Sequence, residues 1–265
     1  MIRVLFIGDI SGKPGREAVG RVLPQIKKKE KVDLVIANIE NLAHGRGATE
    51  DTVREVMSYG IDFMTAGNHI WRRPDFEGLL GGDFPIVRAV NYPDDIPGKG
   101  YDIVELGLQK RVLIAMVLGR ALINDNVTTD MLRPIDKMLK EVEGEDLDGI
   151  ILDIHAETTS EKIATALYLD GRVSAVVGTH THVPTADERL LPGGTAFITD
   201  VGMVGVMNSS LWVKAEIVQQ QLLYPYAPSY EIEEEGDRRF DAVLLELDGP
   251  TKSKSISRIN KVLSY

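Results

Sequence analysis

Two histidines stand one residue apart in "VVGTHTHV": His180 and His182, directly after an apolar run. The chain has five histidines, and two more close similar runs: His69 in "FMTAGNH" and His155 in "IILDIH". Carboxylates and amides occupy the same kind of place. Asp9 ends "VLFIGD", Glu40 and Asn41 lie in "NIEN" just past "LVIA", Asn68 precedes His69, and Asp200 ends "AFITD". All are nitrogen or oxygen donors, with no lysine among them. Packed together without a cation, the carboxylates repel and the imidazoles are desolvated. Divalent cations resolve both problems. The donor set suits manganese, iron, zinc or cobalt better than magnesium alone, which prefers oxygen ligands. One acidic bridge and several imidazoles are enough for two ions.

Taken singly, these residues have plainer readings. Asp9 could cap a helix or turn, Asn68 beside Gly67 could be a left-handed turn residue, and His155 could be a satisfied structural histidine. Six run ends of one chemical character are not explained that way. In the His-x-His pair, both imidazoles point to the same side of an extended chain. His44, in "AHGRGA", reads as pocket lining or a turn residue rather than a ligand. "SGKPGR", residues 11–16, offers either backbone N–H groups to a phosphate or only a tight strand-to-helix turn.

The elements that must position these residues follow from periodicity. "RVLFIGD", "DLVIAN", "DFMTAGN", "GIILDIH", "VSAVVGTH" and "TAFITD" read as buried strands. Helices open near Pro14 and Gly15, after Thr49 (stopped by Gly60), and at "AETTSEKIATALYLDG", where Thr158 and Glu161 have capping-box spacing. Apolar strands alternating with helices predict an α/β fold with a mainly parallel sheet covered on both faces. On one such open sheet, every strand C-terminal end meets at a single ligand-binding edge. Residues 71–110 break the rhythm, with weak strands at "PIVRAV" and "YDIVEL", and read as a cap or insertion in an otherwise single domain spanning 1–265. "EIEEEGDRR", 231–239, reads as a solvated loop, and the C-terminus as an antiparallel hairpin around Gly249 and Pro250.

Composition narrows the function. The net charge of −10 argues against general nucleic-acid binding and against an anionic membrane surface. With no cysteine, thiolate sites and cysteine nucleophiles are excluded. No apolar run is long enough for a signal peptide or a membrane span, so a soluble cytoplasmic protein is expected.

"GD" at 8–9, "GNH" at 67–69 and "GTHTH" at 178–182 resemble the signature blocks of calcineurin-like binuclear metallophosphoesterases. The resemblance is closer to the YmdB-like branch, 2′,3′-cyclic-nucleotide 2′-phosphodiesterases. Its blocks match "GDISGKPGR", "NIEN", "GNHIW", "DIHAETTSEK" and "GTHTHVPTADERLLPGGTAFITDVGM" in order, over most of residues 8–205. The resemblance implies a four-layered α/β/β/α sandwich with a small cap or insertion, rather than one doubly wound sheet. It implies that Asp9, Glu40, Asn41 and His182 hold one metal, and that Glu40, Asn68, His155 and His180 hold the other. Glu40 is then the bridge, a bridging hydroxide the nucleophile, and His69 the acid. It also implies a homo-oligomer acting on a small phosphodiester, with Fe or Mn as the expected metals and Zn or Co as alternatives. A phosphomonoesterase or nucleotidase on the same scaffold is the neighbouring reading, and a regulatory binding protein with incidental hydrolysis the more distant one. The chain departs from the wider pattern at Ser11, where a histidine is usual, and at Ile39, His44 and Arg72. These departures bear on substrate preference.

Overall fold

The computed structural model describes residues 1–123, 130–226 and 228–265. Its strands form two sheets. The N-terminal run gives β1 (Ile2–Ile7), continued past Gly8 by β2 (Asp9–Ile10). Next to β1, in parallel and in order, lie β3 (Leu34–Asn38), β4 (Phe63–Thr65) and β5 (Ile86–Val87). The second sheet takes the middle of the chain: β6 (Tyr101–Leu106), β7 (Lys110–Leu118), β8 (Gly149–His155), β9 (Ala175–Thr179), β10 (Arg189–Leu190) and β11 (Ala196–Ile198). Its order is β10-β11-β9-β8-β7-β6. Residues 71–110 thus supply an edge strand to each sheet. The chain then returns to the first sheet with β12 (Met203–Val206), β13 (Arg238–Leu247) and β14 (Ser253–Leu263). β13 and β14 form the antiparallel hairpin expected around Gly249 and Pro250, and Arg238 and Arg239, expected in a loop, open its first strand.

Alternation along the strands builds the layers. On β1, Val4 and Phe6 face the second sheet and join Ile114, Met116, Ile151 and Val177 in a core between the sheets. Leu5 and Ile7 face the other way, onto α1 (Gly12–Glu30) and α2 (Glu50–Ser58). The second sheet's outer residues, among them Leu152 and Ile154, pack under α4 (Leu132–Glu141) and α5 (Thr159–Leu169); the short α3 (Phe76–Gly81) packs with α1 and α2 on the first sheet. The result is the α/β/β/α sandwich. The single covered sheet predicted from periodicity is wrong for a definite reason. Strands buried on both faces read as continuous apolar runs whether the second face meets a helix or another sheet.

Helix signals hold with one exception. Thr49 caps α2 in a reciprocal capping box, with Thr52 at the third position. At α5 the predicted box does not form. The Thr158 hydroxyl donates to Glu161 Oε2 at 2.8 Å, while Glu161 Oε1 accepts from the Arg120 and Ala121 N–H groups at 3.0 and 3.1 Å. A tertiary contact has taken the glutamate that a local cap would use. Among the described residues, no helix is long and apolar enough to cross a membrane.

Candidate metal centre

The run ends do meet, but they come from both sheets. Asp9 (β2), Glu40 and Asn41 (after β3), and Asn68 and His69 (after β4) arrive from the first sheet. His155 (end of β8) and His180 and His182 (after β9) arrive from the second. Asp9, Glu40, Asn41 and His155 are fully buried and His182 nearly so. Two groups of donor atoms gather, Glu40 with His155 and His180, and Asp9 with Glu40 and His182, each within 4.8 Å of one another. Glu40 belongs to both. His155 Nε2 lies 3.0 Å from Glu40 Oε2 and 3.0 Å from His180 Nδ1. His182 Nε2 lies 3.7 Å from Asp9 Oδ1 and 3.2 Å from the Asn41 amide nitrogen, which donates to Glu40 Oε1 at 3.1 Å.

Three observations show that this cradle fits divalent cations. Asp9 Oδ1 and Asn68 Oδ1 are buried without a hydrogen-bond partner, an expensive condition unless a cation is the intended partner. Gly67 is required where it stands, because a Cβ there would overlap Glu40 Oε2 and come within 2.6 Å of His155 Nε2. The gathered donors, two carboxylates and three imidazoles, suit a divalent cation.

The electrostatics agree. Burial opposes ionisation of Glu40, yet the imidazoles around it, His155 foremost, hold its carboxyl well below the usual range. Burial works against a charged His155 too, but Glu40, Asp9 and Asp153 push its pKa up to about 9. Burial, with the charge of His155 adding to it, takes His180 down to about 3; burial foremost takes His182 down to about 4. Burial first, then Glu40, Asp200 and Asp153, raises Asp9 well above the usual carboxylate range. So one imidazolium balances carboxylates that cannot stay ionised together in a dry site, which is the service a cation performs.

Support residues that the motif reading left out lie behind the cradle. Asp153, buried on β8, accepts from the Thr65 and Thr179 hydroxyls at 2.6 and 2.7 Å and from the Asn38 amide at 3.2 Å. The Thr179 hydroxyl also meets His155 Nδ1 at 2.8 Å, fixing that ring's far side. Its signal was available: Asp153 sits two residues before His155 on a strand and shares its face. Asp200 ends one of the converging runs but joins neither donor group. Its carboxylate accepts from Lys162 Nζ at 2.7 Å, with both side chains fully buried, and from Thr181 N and Oγ1 at 3.1 and 2.7 Å. Lys162 also donates to the Thr179 carbonyl at 2.7 Å. A lysine therefore stands directly behind a site whose ligands include none. The pair pins the 179–182 segment, whose geometry differs from the expected extended chain: φ is +94° at His180 and +64° at His182. Such backbone is costly for residues other than glycine and persists only where the surroundings hold it. The two imidazoles reach different donor groups because the chain turns, not because it is straight.

His69 belongs to neither donor group. Its Nδ1 lies 2.8 Å from Asn41 Oδ1 and 3.5 Å from Glu40 Oε1, and its backbone N–H donates to Glu40 Oε2 at 3.3 Å. Burial is the main cause that lowers its pKa, with His155, Arg46 and Arg72 adding to it and Glu40 opposing. Outward from His69 a cleft of about 650 Å³ opens, lined by His44, Arg46, Trp212 and Tyr230 among others. His44 is exposed at φ +50°, a turn residue on the cleft rim as expected. The Trp212 ring lies against His182, centroids 4.7 Å apart.

Comparison with known proteins places this arrangement. The family model described as YmdB-like protein matches residues 5–259. The 2′,3′-cyclic-nucleotide 2′-phosphodiesterase of Bacillus subtilis (strain 168) is 38% identical over 251 residues, 95% of this chain and 93% of that protein. The crystal structure of a hypothetical protein from Thermus thermophilus superposes with a TM-score of 0.91 at 40% identity, over 99% of this chain and all of that one. A novel phosphatase from Mycoplasma pneumoniae gives a TM-score of 0.88 at 30% identity, over 99% and 94% of the two chains.

Proposed function

The chain belongs to the YmdB-like protein family, and from that premise we propose that it hydrolyses 2′,3′-cyclic nucleotides at a two-metal centre, releasing the 3′-nucleotide. The observation that carries this reading is the position of His69. It is an imidazole hydrogen-bonded to the cradle through Asn41, outside both donor groups, and facing a cleft large enough for a nucleotide. Asp9, Asn41 and His182 would hold one ion and Asn68, His155 and His180 the other, with Glu40, common to both donor groups, shared between them. When bound, the ions supply an acidified water and positive charge for the phosphoryl oxygens. The imidazole-rich shell favours iron or manganese, with zinc and cobalt as alternatives.

His69 then acts on the leaving side. As the oxygen of a water that has lost one proton to solvent bonds to phosphorus and the P–O2′ bond breaks, the imidazolium gives its proton to O2′, and solvent restores the proton of His69 after release. Burial lowers the pKa of His69, and the negative charge of a phosphodiester in the cleft favours the protonated ring. Asn41 orients the ring, and Glu40 lies close enough to stabilise its charged form. By the family resemblance, the protein acts as a homo-oligomer.

A substrate panel tests the reading. Rates on 2′,3′-cyclic nucleotides, 3′,5′-cyclic nucleotides, nucleoside monophosphates and aryl phosphate monoesters should be highest on the first, with 3′-nucleotide as product. A preference for monoesters would replace the phosphodiesterase with a nucleotidase.

A further inference from the structure

The cleft of about 650 Å³ beside His69 is lined by none of the residues of the two donor groups. Residues 210–213 and 229–232 form one side, laced together by Glu233 N–H to the Trp212 carbonyl at 2.8 Å and Lys214 N–H to the Glu231 carbonyl at 2.9 Å. Leu211 and Trp212 both have positive φ, +63° and +144°, so the indole is held in a backbone conformation that L-residues avoid. Gly45 makes room for it: a Cβ there would come within 2.5 Å of the indole nitrogen. The ring is thereby wedged against His182. Farther out, Tyr230 lines the cleft and is 57% exposed, with the Arg46 guanidinium 5.6 Å from its ring centroid. The one acid on this side, Glu231, is engaged by Lys214 at 2.8 Å. A cleft with an open aromatic face and a cationic rim suits a flat, electron-rich ring carried on an anion.

We propose that this cleft is a nucleobase subsite, where the base stacks on Tyr230 and Trp212 forms the partition between base and metal ligand. The proposal rests on the phosphodiesterase reading for its direction. With phosphorus at the cradle and the ribose oxygens at His69, the base extends into the cleft. Stacking tolerates any base, because every base has a π-face; the subsite therefore selects nucleotides over other phosphodiesters without selecting among bases.

Two measurements test it. In the first, kcat and KM are compared for adenosine 2′,3′-cyclic phosphate and for the base-free 1-O-methylribose 2′,3′-cyclic phosphate. Tyr230→Ala should raise KM for the adenosine substrate about tenfold, with the penalty absent from the base-free one, and Tyr230→Phe should restore binding. In the second, 3′-AMP is titrated against the intrinsic fluorescence of metal-loaded Trp71→Phe protein, in which Trp212 is the one remaining tryptophan. Quenching by 3′-AMP and not by inorganic phosphate, weakened about tenfold by Tyr230→Ala, supports the subsite and needs no turnover. Equal losses on both substrates, or quenching that inorganic phosphate reproduces, would overturn it even if cyclic nucleotides are hydrolysed. If cyclic nucleotides are not hydrolysed but 3′-AMP quenches through Tyr230, the subsite stands and the phosphodiesterase reading falls.

Discussion

The cradle and the cleft beside it are built on opposite terms. The cradle is made of strand ends from two sheets. Most of its polar groups are buried, and threonines, an asparagine, Asp153 and the Lys162–Asp200 pair brace it from behind. The outer side of the cleft comes from segments 210–213 and 229–232, where Leu211 and Tyr230 stand exposed and strained backbone holds one tryptophan. A metal site must be rigid within fractions of an ångström, and two packed sheets provide that. A substrate wall needs shape and an aromatic face, which a braced loop provides. Perturbing the first should cost metal or fold, and perturbing the second should cost only substrate affinity.

The largest effect should come from the residue common to both donor groups. Glu40→Gln keeps the shape but removes the charge that bridges the site. Metal content should fall to one ion per chain or none, and turnover should vanish. A mutant that kept two metals and most of its activity would mean that the cradle is not organised around Glu40.

Behind the cradle, Lys162→Met strands Asp200 as a fully buried charge, and breaking such a pair costs about 3–5 kcal/mol. Thermal or denaturant unfolding should show that loss, and Lys162→Met combined with Asp200→Asn should recover part of it. If the single mutant is as stable as the parent, the pair does not pin the His180–His182 turn.

At the boundary between the regions, His69→Ala should keep the full metal content yet lose about 10² in turnover of cyclic nucleotides. The loss should be smaller with nitrophenyl esters, whose leaving group needs no proton. An equal loss on both substrates, or lost metal, would move His69 from proton donor into the cradle.

The same contrast explains what could be read in the sequence. The convergence of Asp9, Glu40, His155, His180 and His182 was legible because each follows an apolar run, and strand ends converge whichever sheet carries them; the metal roles given to these residues and to Asn41 and Asn68 come from the family resemblance. The number of sheets was not legible from periodicity, since a face buried by a helix and one buried by a sheet call for the same Val, Ile and Leu; the family resemblance supplied it. Asp153 was within reach, two residues from His155 on one strand. Lys162 was not: on a helix it reads as a solvated charge until the fold sets it beside Asp200. Nor was Trp212, because nothing in "NSSLWVK" announces positive φ at two non-glycine residues. The α5 capping box failed for a related reason, as long-range donors claimed Glu161 first.

One measurement bears most directly on the central claim, that the converging donors form a two-metal cradle. Protein purified without chelator, or stripped and reloaded with Mn²⁺, should carry close to two transition-metal ions per chain by elemental analysis, and His180→Ala or His182→Ala should each remove about one of them. A content near zero that Mn²⁺ does not restore, or two ions that survive both substitutions, would contradict it.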